Sequence, residues 1–277
     1  MNVFEKVIYF LQGEMPTPTN YSLFHIISML LIVGLTVFLC IKFKDCSKKT
    51  FRKILLIAWI VMVVFEIYKQ IVFSFNWDGN QVVWDYQWYA FPFQMCSTIM
   101  YVLPFIIFMK DGVVKDACMA YLCTFSLFAG ITVFFYPNDV FISMIGINIQ
   151  TMVHHGMQVV LGIFLLVYNR HRLNWKYYLK GIVVFLIMLT IANVLNIILN
   201  PKVMSESFNM FYVSPYRDCT LPILSMIYEK TPYIVFLLCY AIGMLLAGAL
   251  VYLVAWGIMI LVSRKKHSVD NKYQIQK

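Results

Sequence analysis

The chain has 277 residues, 61% hydrophobic and 13% charged, with 22 Lys and Arg against 13 Asp and Glu. A soluble domain carries about 25% charged residues, so this composition excludes a soluble globular enzyme and reads as a multispanning membrane protein. The formal net charge of +9 does not indicate nucleic acid, because the basic residues sit in short loops between apolar runs, where orientation rules place them.

The first stretch, Met1–Gly13, has one early Lys and is too short and mixed for a cleavable signal peptide. It reads as an amphipathic segment on the outer face, with Val3, Phe4, Val7, Ile8 and Leu11 on one side. Seven apolar runs follow, at 21–43, 54–75, 91–109, 115–135, 150–168, 178–199 and 233–262. Each has about 20 or more residues, enough to cross roughly 30 Å of hydrocarbon. The third is the shortest and contains Pro104. The fold expected is an all-α seven-transmembrane helix bundle, a single integral membrane domain over 1–277 that ends in a basic tail, 263–277.

Loop 44–53 carries Lys44, Lys48, Lys49, Arg52 and Lys53, loop 169–177 carries Arg170, Arg172 and Lys176, and the tail carries Arg264, Lys265 and Lys266. Loops 76–90 and 136–149 contain neither Lys nor Arg. The 6–7 loop holds Lys202, Arg217 and Lys230 but is outvoted. The positive-inside rule then places the N-terminus outside and the C-terminus in the cytoplasm, in a multi-pass cell-membrane protein. None of the seven cysteines forms a Cys-x-x-Cys pair, and Cys219 alone lies in an outer loop, which argues against an extracellular disulfide framework. Zinc-ligand spacing, a Gly-rich phosphate loop, Gly-x-Ser-x-Gly and His-Glu-x-x-His are all absent, so neither a metal nor a soluble cofactor is expected.

The informative feature is a polar layer within these runs. The second span carries Glu66, Lys69 and Gln70, the third Cys96, the fifth His154 and His155, and the sixth Asn193 and Asn196. Ionisable groups in hydrocarbon cost roughly 2.5–3.5 kcal/mol each on insertion scales. At about 1.5 Å per residue, all four sets lie in one slab of the outer half of the membrane. Glu66, Lys69 and Gln70 share a helix face, as do Asn193, Asn196 and Asn200, and Gln158 lies within a turn of both histidines. Neighbouring residues diverge by about 100°, so only one histidine of the pair points fully inward.

Each residue also has a plain reading. Glu66 and Lys69 can neutralise each other as a structural ion pair. A transmembrane Cys is usually a small apolar filler, and a lone His or Asn is usually interhelical glue. The coincidence of a thiol, an imidazole, a carboxylate and amides at one depth supports nucleophilic catalysis, with Cys as nucleophile, His as base and amides as oxyanion donors. If the third helix starts after Pro92, Cys96 is one turn too deep to gain much from its N-terminus. The rival is a binding or transport protein in which Glu66, Lys69 and the histidines hold a polar solute, a lipid or a proton. The lack of a convincing inverted repeat counts against transport. A structural bundle with a buried polar network is the third reading.

The stretch Ala90-Phe-Pro-Phe-Gln-Met-Cys-Ser97 resembles the start of the third span in the YwaF-like integral membrane proteins, which typically read Leu-Pro-Leu-His-Leu-Cys there. Glu66 resembles their embedded acid, His154-His155-Gly156 their Ser-His-Gly, and Asn196 the Asn of their Phe-Asn-Tyr. Asn209-Met-Phe-Tyr212 followed by Pro222 resembles their Asn-Tyr-Met-Tyr run and its proline. The resemblance runs from about residue 20 to 260 and implies a seven-helix bundle. The family is similar to a eukaryotic membrane acyltransferase that remodels ether phospholipids through this Cys, and more distantly to the androgen-induced membrane fatty-ester hydrolases, which use Thr and His. It implies Cys96 as nucleophile, His155 as base and Glu66 and Asn196 as polar supports. Lys69, Gln94, His154, Gln158, Asn193 and Tyr212 are the expected substrate contacts, with Tyr212 near the outer lid, and membrane lipids are the expected partners. Gln94 stands where the family usually has His, and a neutral amide cannot take a proton.

Overall fold

The computed structural model describes residues 1–137, 140–203 and 208–275, with side chains as far as Leu261. Among the described residues, seven helical segments are long and apolar enough to cross a membrane: Leu23–Phe43, Lys48–Val72, Trp88–Phe108, Val113–Phe135, Ile145–Tyr168, Trp175–Val203 and Tyr233–Leu261. The expected seven-helix bundle is the fold. Boundaries move for local reasons. The second span begins at Lys48 rather than 54, because Ser47 Oγ accepts from Thr50 N and caps it. Its basic stretch therefore forms the first helical turns rather than a loop. The seventh helix continues to Ile275. The side chains of the basic tail, Arg264, Lys265 and Lys266, and residues 276–277 lie outside what is described.

The fourth and fifth spans form the centre of the bundle, 67% and 72% buried against 17% for the first, which therefore faces lipid. Close approach at the centre requires glycine. A Cβ at Gly130 would lie 2.6 Å from Gln158 Cβ and 3.0 Å from the His155 carbonyl oxygen. One at Gly181 would lie 3.0 Å from the Tyr121 backbone nitrogen. The fourth span loosens into a π-turn at Leu122–Ser126, where Thr124 Oγ1 returns a 2.6 Å bond to the Ala120 carbonyl. In the third span Pro104 has no N–H to offer the Met100 carbonyl one turn back. The Trp59 indole of the second span donates to that carbonyl at 2.9 Å, so this backbone oxygen is not left bare in hydrocarbon.

One end of the bundle is ionic. Asp111 takes Lys48 at 2.6 Å and Lys115 at 3.0 Å, buried Asp116 takes Arg172 at 2.8 Å and Lys180 at 2.9 Å, and Arg170 pairs with Asp45. The opposite end is roofed by longer segments. A surface helix, Val3–Leu11, is started by an Asn2–Glu5 capping box and buries Ile8, while Val3, Val7 and Phe10 stay exposed. Strands Phe75–Trp77 and Val82–Trp84 pair antiparallel, with Phe75 opposite Trp84. Gly13 and Met15 bond the 143–145 stretch through Ile145 N and Ser143 O.

Candidate functional site

A cavity of about 380 Å³ lies at this loop-covered end, between the second, third, fourth, fifth and seventh spans. Lys69, Gln94, Cys96, His154, His155 and Tyr212 line it, together with Gln150, Thr151, Ser97, Tyr240 and the apolar side chains Phe128, Val133, Phe211 and Met244. Six of the ten residues singled out in the sequence therefore meet in one space. Glu66, Gln158, Asn193 and Asn196 do not line it, which corrects the expectation that Glu66 and Asn196 face it beside Cys96 and His155.

Cys96 owes its place to the break in the third span. Residues 91–94 are not helical; the helix starts with a 3-10 turn, Met95–Ser97, and runs on as Thr98–Phe108. Cys96 is thus in the first turn, not one turn deep. The reason is local: Pro92 confines Phe91 to extended geometry, and Phe91 has φ −49° and ψ 133°. Ser97 N reaches the Gln94 carbonyl at 2.8 Å. The amides of Met95 and Cys96 reach no acceptor on another described residue, the normal state of a helix N-terminus, where the helix dipole favours negative charge.

The two histidines have different jobs. His154 Nε2 is 3.2 Å from the Cys96 carbonyl, and Gln150 Nε2 is 3.5 Å from His154 Nδ1. A carbonyl only accepts, so His154 donates from Nε2 and is used at both nitrogens. Gln158 Nε2 donates to the same carbonyl at 3.2 Å and to Ser126 Oγ at 3.1 Å. His154 and Gln158 therefore hold the Cys96 backbone. His155 Nδ1 lies 2.9 Å from the Thr151 carbonyl, so Nδ1 carries the proton and Nε2 keeps its lone pair. Among the described residues Nε2 has no partner, and no hydrogen bond joins the Cys96 thiol to either ring.

Lys69 and Glu66 pair at 2.8 Å, and Gln70 Nε2 donates to the same carboxylate oxygen at 2.8 Å. The second oxygen, Glu66 Oε2, is buried without a partner among the described residues. Gln70 also donates to the Ala90 carbonyl at 2.8 Å and accepts from Tyr86. Burial first, and the Glu66 charge second, push the Tyr86 phenol up to about 12, so it stays a donor. Through this chain the buried carboxylate holds the entry to the third span.

The amides of Gln94 and Asn196 address backbone. Gln94 Nε2 donates to the Asn209 carbonyl at 2.9 Å, and Phe211 N donates to Gln94 Oε1 at 2.9 Å. Asn196 Nδ2 donates to the Met210 carbonyl at 2.9 Å and accepts from Met210 N at 2.7 Å. Asn209 accepts from Ser214 N at 2.9 Å. These three residues clamp the turn Met210–Tyr212, in which Phe211 and Tyr212 have φ +58° and +60°. Such values are outliers for bulky residues and persist only where surroundings enforce them. Asn193 Oδ1 accepts from the Tyr233 hydroxyl of the seventh span at 2.6 Å, a bond between helices rather than toward the cavity.

Gln150 and Thr151 were missed in the sequence, although each lies one turn before a histidine. Tyr240 gave no signal, since it sits in an otherwise apolar span. It is 1% exposed, and its hydroxyl has no hydrogen-bond partner among the described residues. Comparison with curated proteins and with solved structures returns no match. The model of the TMEM164 family, a membrane protein family, matches residues 20–260, and the chain therefore belongs to that family.

Proposed function

We propose that this multi-pass protein is a membrane-embedded lipid acyltransferase or acyl-ester hydrolase that works through an acyl-Cys96 intermediate. One observation carries the reading: Cys96 and His155 line the same cavity, Cys96 in the first turn of a helix and His155 with Nε2 unengaged. The resemblance of the segment around Cys96 to the YwaF-like proteins, and through them to an ether-phospholipid acyltransferase, points the same way. The amides of Met95 and Cys96 suit an oxyanion.

The Cys96 thiol passes its proton to His155 Nε2 as sulfur bonds the acyl carbonyl carbon. The ester C–O bond breaks, and the imidazolium returns the proton to the departing alcohol. A second hydroxyl, from a lysolipid or from water, then attacks the thioester; its proton passes by His155 Nε2 to the leaving sulfur. Lys69 is the group suited to an anionic lipid head, while His154, Gln158, Glu66 and Asn196 position the site. The basic end faces the cytoplasm of the cell membrane, which puts the cavity in the outer leaflet.

An alkyl chloroacetamide tests the reading. It labels Cys96 in the wild-type protein, and labelling falls in Cys96→Ser and in His155→Ala, because the thiolate is the reactive form. Unlabelled Cys96 in a protein that still binds lipid transfers support to the binding or transport reading. That rival rests on the pair Glu66–Lys69 and on the unpartnered Glu66 Oε2.

A further inference from the structure

We infer that the cavity is an amphiphile site with a built orientation, and that a lipid acyl chain enters it sideways through a slot between the fourth and seventh spans. The inference rests on the acyl-transfer reading for its substrate class, but not for its geometry. The lining is divided. The second, third and fifth spans contribute the polar wall, with Lys69, Cys96, Gln150 and the two histidines. The fourth and seventh contribute a mainly apolar wall, built from Phe128, Ala129, Val133 and Met244, with Thr132 and Tyr240 as its two hydroxyl-bearing members.

Depth matches a lipid. The fourth span ends at Phe135 and the seventh begins at Tyr233. At 1.5 Å per residue, Thr132 lies roughly 5 Å from the outer edge of the bundle, Phe128 and Tyr240 roughly 10 Å, and Met244 roughly 16 Å. Cys96, in the first turn of its helix, stands at the shallow end, where the ester groups of a leaflet lie. The apolar wall then descends beside the path that the chain must follow.

Two mouths set the direction. Among the described lining residues, Tyr89 and Thr132 are exposed. Tyr89 belongs to the outer segment Trp88–Ala90 and packs against Phe73, another lining residue, so this mouth opens toward the loops and suits a head group. Thr132 is on the surface of a membrane span, so lipid is what meets it there. Its hydroxyl is spent on the Phe128 carbonyl at 3.0 Å, which leaves a surface that hydrocarbon tolerates. Ala129, one turn deeper, has the smallest side chain of this wall, and it leaves the slot open.

The test uses the full chain in phosphatidylcholine vesicles doped with a phospholipid carrying a terminal diazirine on one acyl chain. Irradiation of the wild type is expected to mark the 128–133 and 240–244 segments. Thr132→Trp and Ala129→Trp fill the slot. Excluding even two methylenes, each worth about 0.8 kcal/mol, lowers that crosslink roughly tenfold. Val64→Trp, on an exposed face of the second span, leaves it unchanged. Crosslinks confined to other lipid-facing surfaces in the wild type, or unchanged in both slot variants, overturn the inference. Two further outcomes separate it from catalysis. Crosslinking that persists in Cys96→Ser while Cys96 is never acylated keeps the slot and removes the acyl enzyme. Acylation of Cys96 at the wild-type rate in Thr132→Trp keeps the acyl enzyme and removes the slot.

Discussion

Replacing Asn196 by Leu tests whether the strained turn over the cavity is held by side-chain amides. Asn196 and Met210 are both fully buried, and their two bonds, 2.7 and 2.9 Å, join one side chain to the N–H and C=O of a single residue. Leucine keeps the volume and removes both bonds. The Met210 N–H is then orphaned in a dry site, at about 1–3 kcal/mol. The Met210 carbonyl keeps a longer bond from Val213 N, at 3.3 Å, so its loss is a net bond of about 0.5–1.5 kcal/mol. The sum is about 1.5–4.5 kcal/mol, comparable to the strain of about 1–3 kcal/mol for each residue held at positive φ. The turn is therefore expected to relax, carrying Phe211 and Tyr212 away from the cavity. Thermal unfolding in detergent should show a clearly lower Tm, and the alkyl chloroacetamide should lose its preference for Cys96. A variant with wild-type Tm and wild-type labelling refutes the clamp.

Other expectations follow from the same geometry. Trp59→Phe strands the Met100 carbonyl and costs about 1–3 kcal/mol; Pro104→Ala restores that carbonyl's helical donor, so the cost shrinks in the double variant, measured as a double-mutant cycle on Tm. Gly130→Ala forces a Cβ to 2.6 Å from Gln158, parts the fourth and fifth spans, and lowers both Tm and Cys96 labelling; an unchanged Tm contradicts the close approach. Lys48 and Lys115 hold Asp111 at about 2, below its ordinary 3.8. A depressed carboxylate stabilises above its unfolded value, so the Tm advantage of wild type over Asp111→Asn is small, as for any exposed pair, constant above about pH 5, and fades as pH falls from about 4 toward 2. A cysteine placed at Asn80 labels with an impermeant maleimide in intact cells and one at Lys49 does not; the reverse pattern inverts the orientation.

The spans were legible because hydrocarbon demands long apolar runs, and the polar layer because ionisable groups there are costly. Cys96, His154, His155 and Lys69 follow from that logic, and they share the cavity. Helix breaks were harder to read. Pro92 was visible, but hydropathy treats 91–109 as one run and hides that its helix begins at Met95. The roles of Gln94, Asn196 and Gln158 were illegible for another reason. An amide in a span looks the same whether it addresses a ligand or a backbone, and only the fold shows that these three hold Asn209, Met210 and Cys96. Tyr240 and Thr132 escaped notice because one aromatic and one hydroxyl in apolar spans carry no periodic or charge signal.

The most direct measurement is peptide mass spectrometry on the protein after incubation with a phospholipid of defined acyl composition. The account predicts an acyl mass on the Cys96 peptide, released by neutral hydroxylamine as a thioester and missing in Cys96→Ser. No acyl adduct on Cys96, in a preparation that binds the same lipid, contradicts it.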